Sequence, residues 1–319
     1  GYIMDRPDFT LNATFNIGRN KNKIDKLARG EKEMVLSSGW AGSQLLNSDD
    51  YRAYVGGTTG LIYGFVNDGF YTVDDFKPFD SKSRTWTLKD GVVNSSPLSG
   101  DPRPGNAKFK KLTPVDENSA NPYTLTDDDR TVIGNTTPKF SGGFGLNATF
   151  KGFDVSAFFN FMYDFDVFNA NKVMMTTWAS NNYNNFSMDI SAAKRWRNFD
   201  DMGNEIRYSP EILAEFNKNA TMWNPTSIGR PIAMSYAVED GSFLRLNTAT
   251  IGYTLPRAWT NKVGLSRVRF YASGYNLFTI TGYSGYDPEV DIATGLTPNI
   301  DNNRYPRSRT YTFGVQLTF

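Results

Sequence analysis

Neither cysteine nor histidine occurs in this 319-residue sequence. Without cysteine there are no disulfides and no thiolate chemistry. Without histidine there is neither a Ser-His-Asp relay nor an imidazole-ligated metal site. An excess of one charge is missing too. Thirty-four Lys and Arg stand against 33 Asp and Glu, for a formal net charge of +1, and this balance points to no nucleic-acid partner. No run of about 18 apolar residues is present, so no transmembrane helix is readable; the mean hydropathy is −0.47. The opening "GYIMDRPDFT" has neither a basic n-region nor an apolar h-region, so no signal peptide is expected in this chain.

What is abundant is aromatic: 24 Phe, 17 Tyr and 6 Trp, with 28 Gly. A chain polar on average yet rich in these residues leans toward β architecture. The pattern agrees. In "DFTLNATFNIG" (8–18), Phe9, Leu11, Ala13, Phe15 and Ile17 alternate with Thr10, Asn12, Thr14 and Asn16. In "KFSGGFGLNATF" (139–150), Phe140, Phe144, Leu146, Ala148 and Phe150 share a face. After a Lys151-Gly152 turn, 153–166 sets Phe153, Val155, Ala157, Phe159, Phe161, Tyr163 and Phe165 against Asp154, Ser156, Asn160, Asp164 and Asp166. This pair reads as an antiparallel hairpin. The segment 267–280 and the ending "YTFGVQLTF" (311–319) alternate likewise, the latter predicting a strand to Phe319. In 242–255, Leu244 and Leu246 are out of phase with Ile251, Tyr253 and Leu255. Either a β-bulge reconciles them or the first residues lie outside the regular strand.

Between 19 and 66, "EKEMVLS", "DYRAYVG" and "LIYGFVNDGFY" read as three further strands, and 189–198 as a short helix. Long polar stretches, about 74–139, 167–241 and 281–308, separate the regular strands. Loops of that size are usually functional. Polar faces of Asn, Thr, Ser, Gly and Asp opposite aromatic faces, with short turns alternating with very long loops, favour an antiparallel transmembrane β-barrel over an aqueous β-sandwich.

Several motifs carry a family resemblance. "EDGSFLRLNTATIGYTLP" (239–256), "VRFYASGYNLFTITGYSGYDPEV" (268–290) and "YPRSRTYTFGVQLTF" (305–319) resemble the C-terminal end of SusC-like TonB-dependent outer-membrane transporters of Bacteroidetes. "NKNKI" (20–24), "RPGNAKFKKL" (103–112), 127–159 and "AKRWRN" (193–198) fit the same family in order. The resemblance implies a barrel of about 22 strands around an N-terminal plug. It also implies a SusD-like surface lipoprotein as a hinged lid, and import of oligosaccharides or peptides energised through TonB. This chain has about eight to ten readable strands and no recognisable plug or TonB box. It therefore reads, over 1–319, as the C-terminal part of such a barrel, set in outer-membrane lipid, with the three long stretches as extracellular loops. The alternative is a non-transporting outer-membrane or glycan-binding β protein.

No catalytic residue, cofactor or metal is expected. Asp127, Asp128 and Asp129 form an acidic run, but Ca²⁺ requires spaced oxygen ligands on a shaped loop. A glycosidase needs two carboxylates at a set separation in a pocket, and no specific pair stands out. The candidate substrate-binding residues are loop aromatics whose ring faces stack on sugars or peptide side chains: Trp178, Tyr183, Trp196, Trp223 and Tyr286. Asp154, Asp164, Asp166, Arg267 and Arg269 are candidates to line a polar lumen. "TGYSGYDPEV" reads either as a binding loop or as a rigid one, because Pro288 fixes its own φ and restricts Asp287.

Overall fold

The protein is described by a computed structural model over residues 1–47, 49–178, 185–290 and 295–319. Seven strands form one antiparallel sheet whose spatial order follows chain order: Tyr2–Arg6, Phe9–Gly18, Phe140–Phe150, Phe153–Tyr163, Phe243–Thr254, Arg267–Thr281 and Thr310–Thr318. The expected hairpin is present, with Phe153 opposite Phe150 and Tyr163 opposite Phe140. Its turn is tight because Lys151 and Gly152 both adopt positive φ, 44° and 88°, the backbone of a two-residue turn that follows strand twist. The last strand stops at Thr318, one residue short of the expected Phe319.

The sheet has two unlike faces. On one, the Phe153 and Tyr253 rings lie 4.5 Å apart, Phe159 stacks on Phe144 at 4.6 Å and meets Phe278 edge-on at 6.4 Å. On the other, Arg269 donates to both oxygens of Asp154, at 2.8 and 2.5 Å, and Thr250 and Ser273 share a hydrogen bond of 2.8 Å. Phe158 is one of the aromatics on this polar face, with Phe243, Tyr271 and Tyr275. It lies against Gly143 and Gly145, where a Cβ would meet its ring.

The phase conflict in 242–255 is resolved by a bulge. Phe158 faces Thr248 and Phe159 faces Leu246, so Asn247 is left without an opposite residue. Before the bulge Leu244 and Leu246 lie on the apolar face, and after it Ile251 and Tyr253 do. The strand Phe243–Thr254 is therefore continuous. The neighbouring strand compensates at the same level, where Asn276 takes a positive φ of 51°.

Antiparallel order puts all three long connections, 19–139, 164–242 and 282–309, at one end of the sheet. The expected strands between 19 and 66 form, but not in the wall. Glu33–Leu36, Tyr51–Tyr54 and Leu61–Gly64 join Thr131–Asn135 in a separate four-stranded sheet, and Asn67–Phe70 pairs with Ala107–Phe109. The wall thus holds seven strands, not eight to ten. No helix spans 189–198 either: the chain makes a 3₁₀ turn at Met188–Ile190, and Arg195 then bridges to Met222. Helices form instead at Ala170–Thr176 and Pro210–Phe216.

The connections pack into one loop body with a continuous apolar core. Tyr51, Ile62 and Phe109 come from the first, Phe168, Trp223 and Ile232 from the second, and Ile300 from the third. The wall contributes little to it, and wall side chains such as Phe15 (67% exposed) and Phe313 (81%) are uncovered. Within the loop body, Phe65 donates its N–H to the Ala233 carbonyl at 2.9 Å. That approach requires glycine at position 64, where a Cβ would lie 2.2 Å from the same carbonyl oxygen. We expect Gly64→Ala to destabilise the loop body by about 1–3 kcal/mol, as overpacking does, and to leave the wall folded. Limited proteolysis of the complete protein should cut faster within 19–139 and 164–242, while the barrel keeps its heat-modifiable gel mobility.

Candidate functional site

Two arrangements stand out at the loop end. The first is a clasp. Arg245 projects from the wall strand Phe243–Thr254 and is 2% exposed. Its guanidinium reaches Asp287 at 2.5 Å and Glu289 at 3.4 Å, and Arg307 pairs with Glu289 at 3.1 Å. The "DPE" stretch is thus a rigid loop tied to the wall by its two acids. Breaking a buried charge pair from one side strands the other charge away from water, so these groups hold the third connection in place.

A hydrogen-bond network continues the clasp inward. Glu239 accepts from the N–H and hydroxyl of Ser284, from Asn169 and from Lys172. Burial works to raise its carboxyl, but these donors outweigh it and hold the group below its ordinary value. Tyr283 donates to Asp301 at 2.7 Å, and burial first, then this carboxylate, push the phenol up. The second and third connections are joined by polar contacts as well as by core packing. A separate buried acid, Asp50, is pushed up to about 6 by burial, against the donated bonds of Ser38.

The second arrangement is a cleft of about 790 Å³ between residues 84–106 and 198–230. Arg84, Arg103, Arg207 and Arg230 line it, and Asp101 alone among the described lining residues carries a carboxylate. The guanidinium of Arg84 lies over the Tyr208 ring at 5.2 Å; that of Arg207 lies over Tyr208 and Phe199, both at 5.6 Å. Arg207 also pairs with Glu205. Arg230 donates to the carbonyls of Ser43, Gln44 and Leu45 and so anchors the floor.

The five loop aromatics are not brought together. Trp196 and Trp223, at 3% and 2% exposed, are interior. Trp196 packs edge-on to Phe70, and Trp223 to Tyr236 while donating to the Thr176 carbonyl. No ring face is open on either for stacking. Trp178 is half exposed beside Phe186, and Tyr286 is almost fully exposed. Tyr183 lies outside the described residues. The acidic run 127–129 forms a 3₁₀ turn, not a spaced ligand loop. Burial works to raise Asp129, but donors outweigh it and lower the group: Thr113 first, with Thr126 and Leu112, while Lys111 pairs with it at 3.2 Å. Asp127 accepts from Asn47. Of the lumen candidates, Asp154 and Arg269 pair with each other, Asp164 pairs with Lys139 at the rim, Asp166 accepts from the Asn135 N–H, and Arg267 approaches Thr254. The arginine cleft itself was not legible, because its arginines sit far apart in sequence with no motif linking them.

No family model matches the chain. The sequence is 30% identical over 318 residues to the TonB-dependent receptor P3 of Formosa agariphila, across 98% of this chain and 27% of the receptor. It is 32% identical over 164 residues to the TonB-dependent receptor SusC of Bacteroides thetaiotaomicron, across 47% of this chain and 15% of SusC. The chain thus spans 27% or less of these two curated relatives. Among solved structures, the RagAB peptide transporter superposes with a TM-score of 0.68 at 21% identity, over 100% of this chain and 28% of that chain. That likeness is one of fold.

For the clasp, we expect Arg245→Ala to free the third connection by leaving Asp287 and Glu289 without their wall partner, at roughly 3–5 kcal/mol. Hydrogen exchange in the complete protein should quicken across 282–290 while the strand Arg267–Thr281 keeps its protection. Unchanged exchange in 282–290 would mean that the core alone holds the loop.

Proposed function

The chain belongs to the TonB-dependent receptors of the SusC kind, and from that premise we propose that the complete protein imports nutrients across the outer membrane. The observation that supports this best is the uncovered seven-stranded sheet. Its apolar face presents Phe15, Phe153, Ile251, Phe270, Phe313 and Val315, mostly half or more exposed. In water a contiguous face of that kind is an aggregation liability; in lipid it is the barrel exterior. The eleven-residue strand Phe153–Tyr163 runs about 33 Å, or about 25 Å across a bilayer at ~40° tilt. Among the described residues no helix is long and apolar enough to cross a membrane; in this reading the strands cross it.

In this reading residues 1–319 are one part of the barrel, and strands outside this chain complete it. The loop body faces outward and forms part of the chamber that receives an oligosaccharide or a peptide. A SusD-like lipoprotein closes over it, and TonB supplies the energy. Trp178, Phe186 and Met188 give an exposed apolar surface on the second connection suited to a partner or substrate. Of the four described candidate aromatics, Trp178 and Tyr286 are the two whose rings are exposed for stacking.

Deleting the complete gene should abolish uptake of at least one oligosaccharide or peptide across a panel offered to the source bacterium. A protonophore or loss of TonB should abolish the same uptake. Wild-type uptake across the panel after deletion would refute import.

A further inference from the structure

We infer that the cleft between 84–106 and 198–230 binds an anionic oligosaccharide, with Arg84 and Arg103 engaging its sulfate or carboxylate groups. This deepens the import reading and rests on it. Four observations carry it. Positive charge is concentrated in the cleft: four arginines face one aspartate in a chain whose formal charge is only +1. The cleft is of the size that ligands occupy.

The donors are held ready and unspent. Arg84 is fixed over the Tyr208 ring, a contact that restrains the guanidinium plane while leaving its N–H edges free. Arg103 is exposed, and no carboxylate among the described residues pairs with Arg84 or Arg103. A planar fork of N–H donors matches a carboxylate or sulfate edge in two parallel bonds. The other two arginines are committed, Arg207 to Glu205 and Arg230 to three carbonyls. They add field more than free donors.

The lining also discriminates between polymers. It is rich in donors and poor in strong acceptors, and Pro97, Pro102 and Pro104 present no N–H and form a stiff wall. A peptide brings one backbone N–H per residue that needs an acceptor. A sulfated or uronate-bearing sugar brings ring, glycosidic and anionic oxygens that only accept, and hydroxyls that donate but can also accept and can rotate their O–H toward water, whereas a backbone N–H can do neither. The observations therefore favour the glycan over an acidic peptide.

The test uses the complete receptor, purified in detergent with whatever lipoprotein accompanies it, in calorimetric titrations at 50 mM salt. The probes are a chondroitin sulfate tetrasaccharide, its desulfated counterpart, cellotetraose and tetraglutamate. We expect at least one anionic sugar to bind at least tenfold tighter than cellotetraose and tetraglutamate, and to weaken as salt rises. Sulfate and carboxylate as the recognised group are told apart by the first two probes. Arg84→Ala and Arg103→Ala should each weaken that binding about tenfold, with Arg→Lys losing less, while the barrel stays heat-modifiable and the lipoprotein still co-purifies. Cellotetraose binding as tightly as the better-bound anionic sugar, tetraglutamate binding best, no binding by either anionic sugar, or wild-type affinity in both alanine variants would each overturn the assignment. Loss of the lipoprotein in the variants would overturn it too, by making the cleft a protein-docking surface. Energised uptake of some other nutrient by the same strain would then leave import standing, whereas loss of energised uptake altogether would remove both.

Discussion

A one-layer sheet has no interior, and the rest of this structure follows from that constraint. Away from the loop end, where Phe243 and Arg245 are buried against the connections, each wall side chain points to one solvent or the other, so the wall cannot bury a core of its own. What stabilises it is the ladder of backbone hydrogen bonds and the match of each face to its surroundings. Packing in the usual sense is displaced to the loop end. There Tyr51, Phe109, Phe168, Trp223 and Ile300, from three connections far apart in sequence, close a single core. Arg245 then ties that body to the wall through Asp287 and Glu289.

This division of labour explains what the sequence disclosed. Alternation at period two is a local property, and each wall strand carries it in consecutive residues, so the hairpin at Lys151-Gly152 and the strands at 267–281 and 310–318 were readable. The phase break between Leu246 and Ile251 was visible, but two explanations fitted it. Only the pairing of Phe158 with Thr248 and Phe159 with Leu246 selects the bulge at Asn247. The strands at 33–36, 51–54 and 61–64 were recognisable as strands, but not as a second sheet, since partner choice depends on contacts with residues such as Thr131–Asn135.

The loop body was the least legible part for the same reason. Trp196 and Trp223 look like exposed loop aromatics in a polar sequence context, and tertiary packing buries both. The 189–198 run has helix-forming residues, yet its backbone is drawn into a bridge with Met222. The "DPE" acids could be named as a rigid or a binding loop, but their partner, Arg245, lies 42 residues earlier than Asp287. The cleft depends on how residues 84–106 meet residues 198–230, and no local pattern encodes that meeting. Once formed, it sets the Arg84 guanidinium over the Tyr208 ring at the loop end of the sheet.

The central claim is that the two wall faces meet different solvents. It is tested most directly by spin labels on single cysteines at positions 270, 271, 272 and 273 of the complete protein, made cysteine-free elsewhere and reconstituted in lipid. Collision rates with oxygen and with a water-soluble nickel chelate report the surroundings of each label. We predict high oxygen and low nickel accessibility at Phe270→Cys and Ala272→Cys, and the reverse at Tyr271→Cys and Ser273→Cys. Equal accessibility at all four positions, or high nickel accessibility at 270 and 272, would contradict the account.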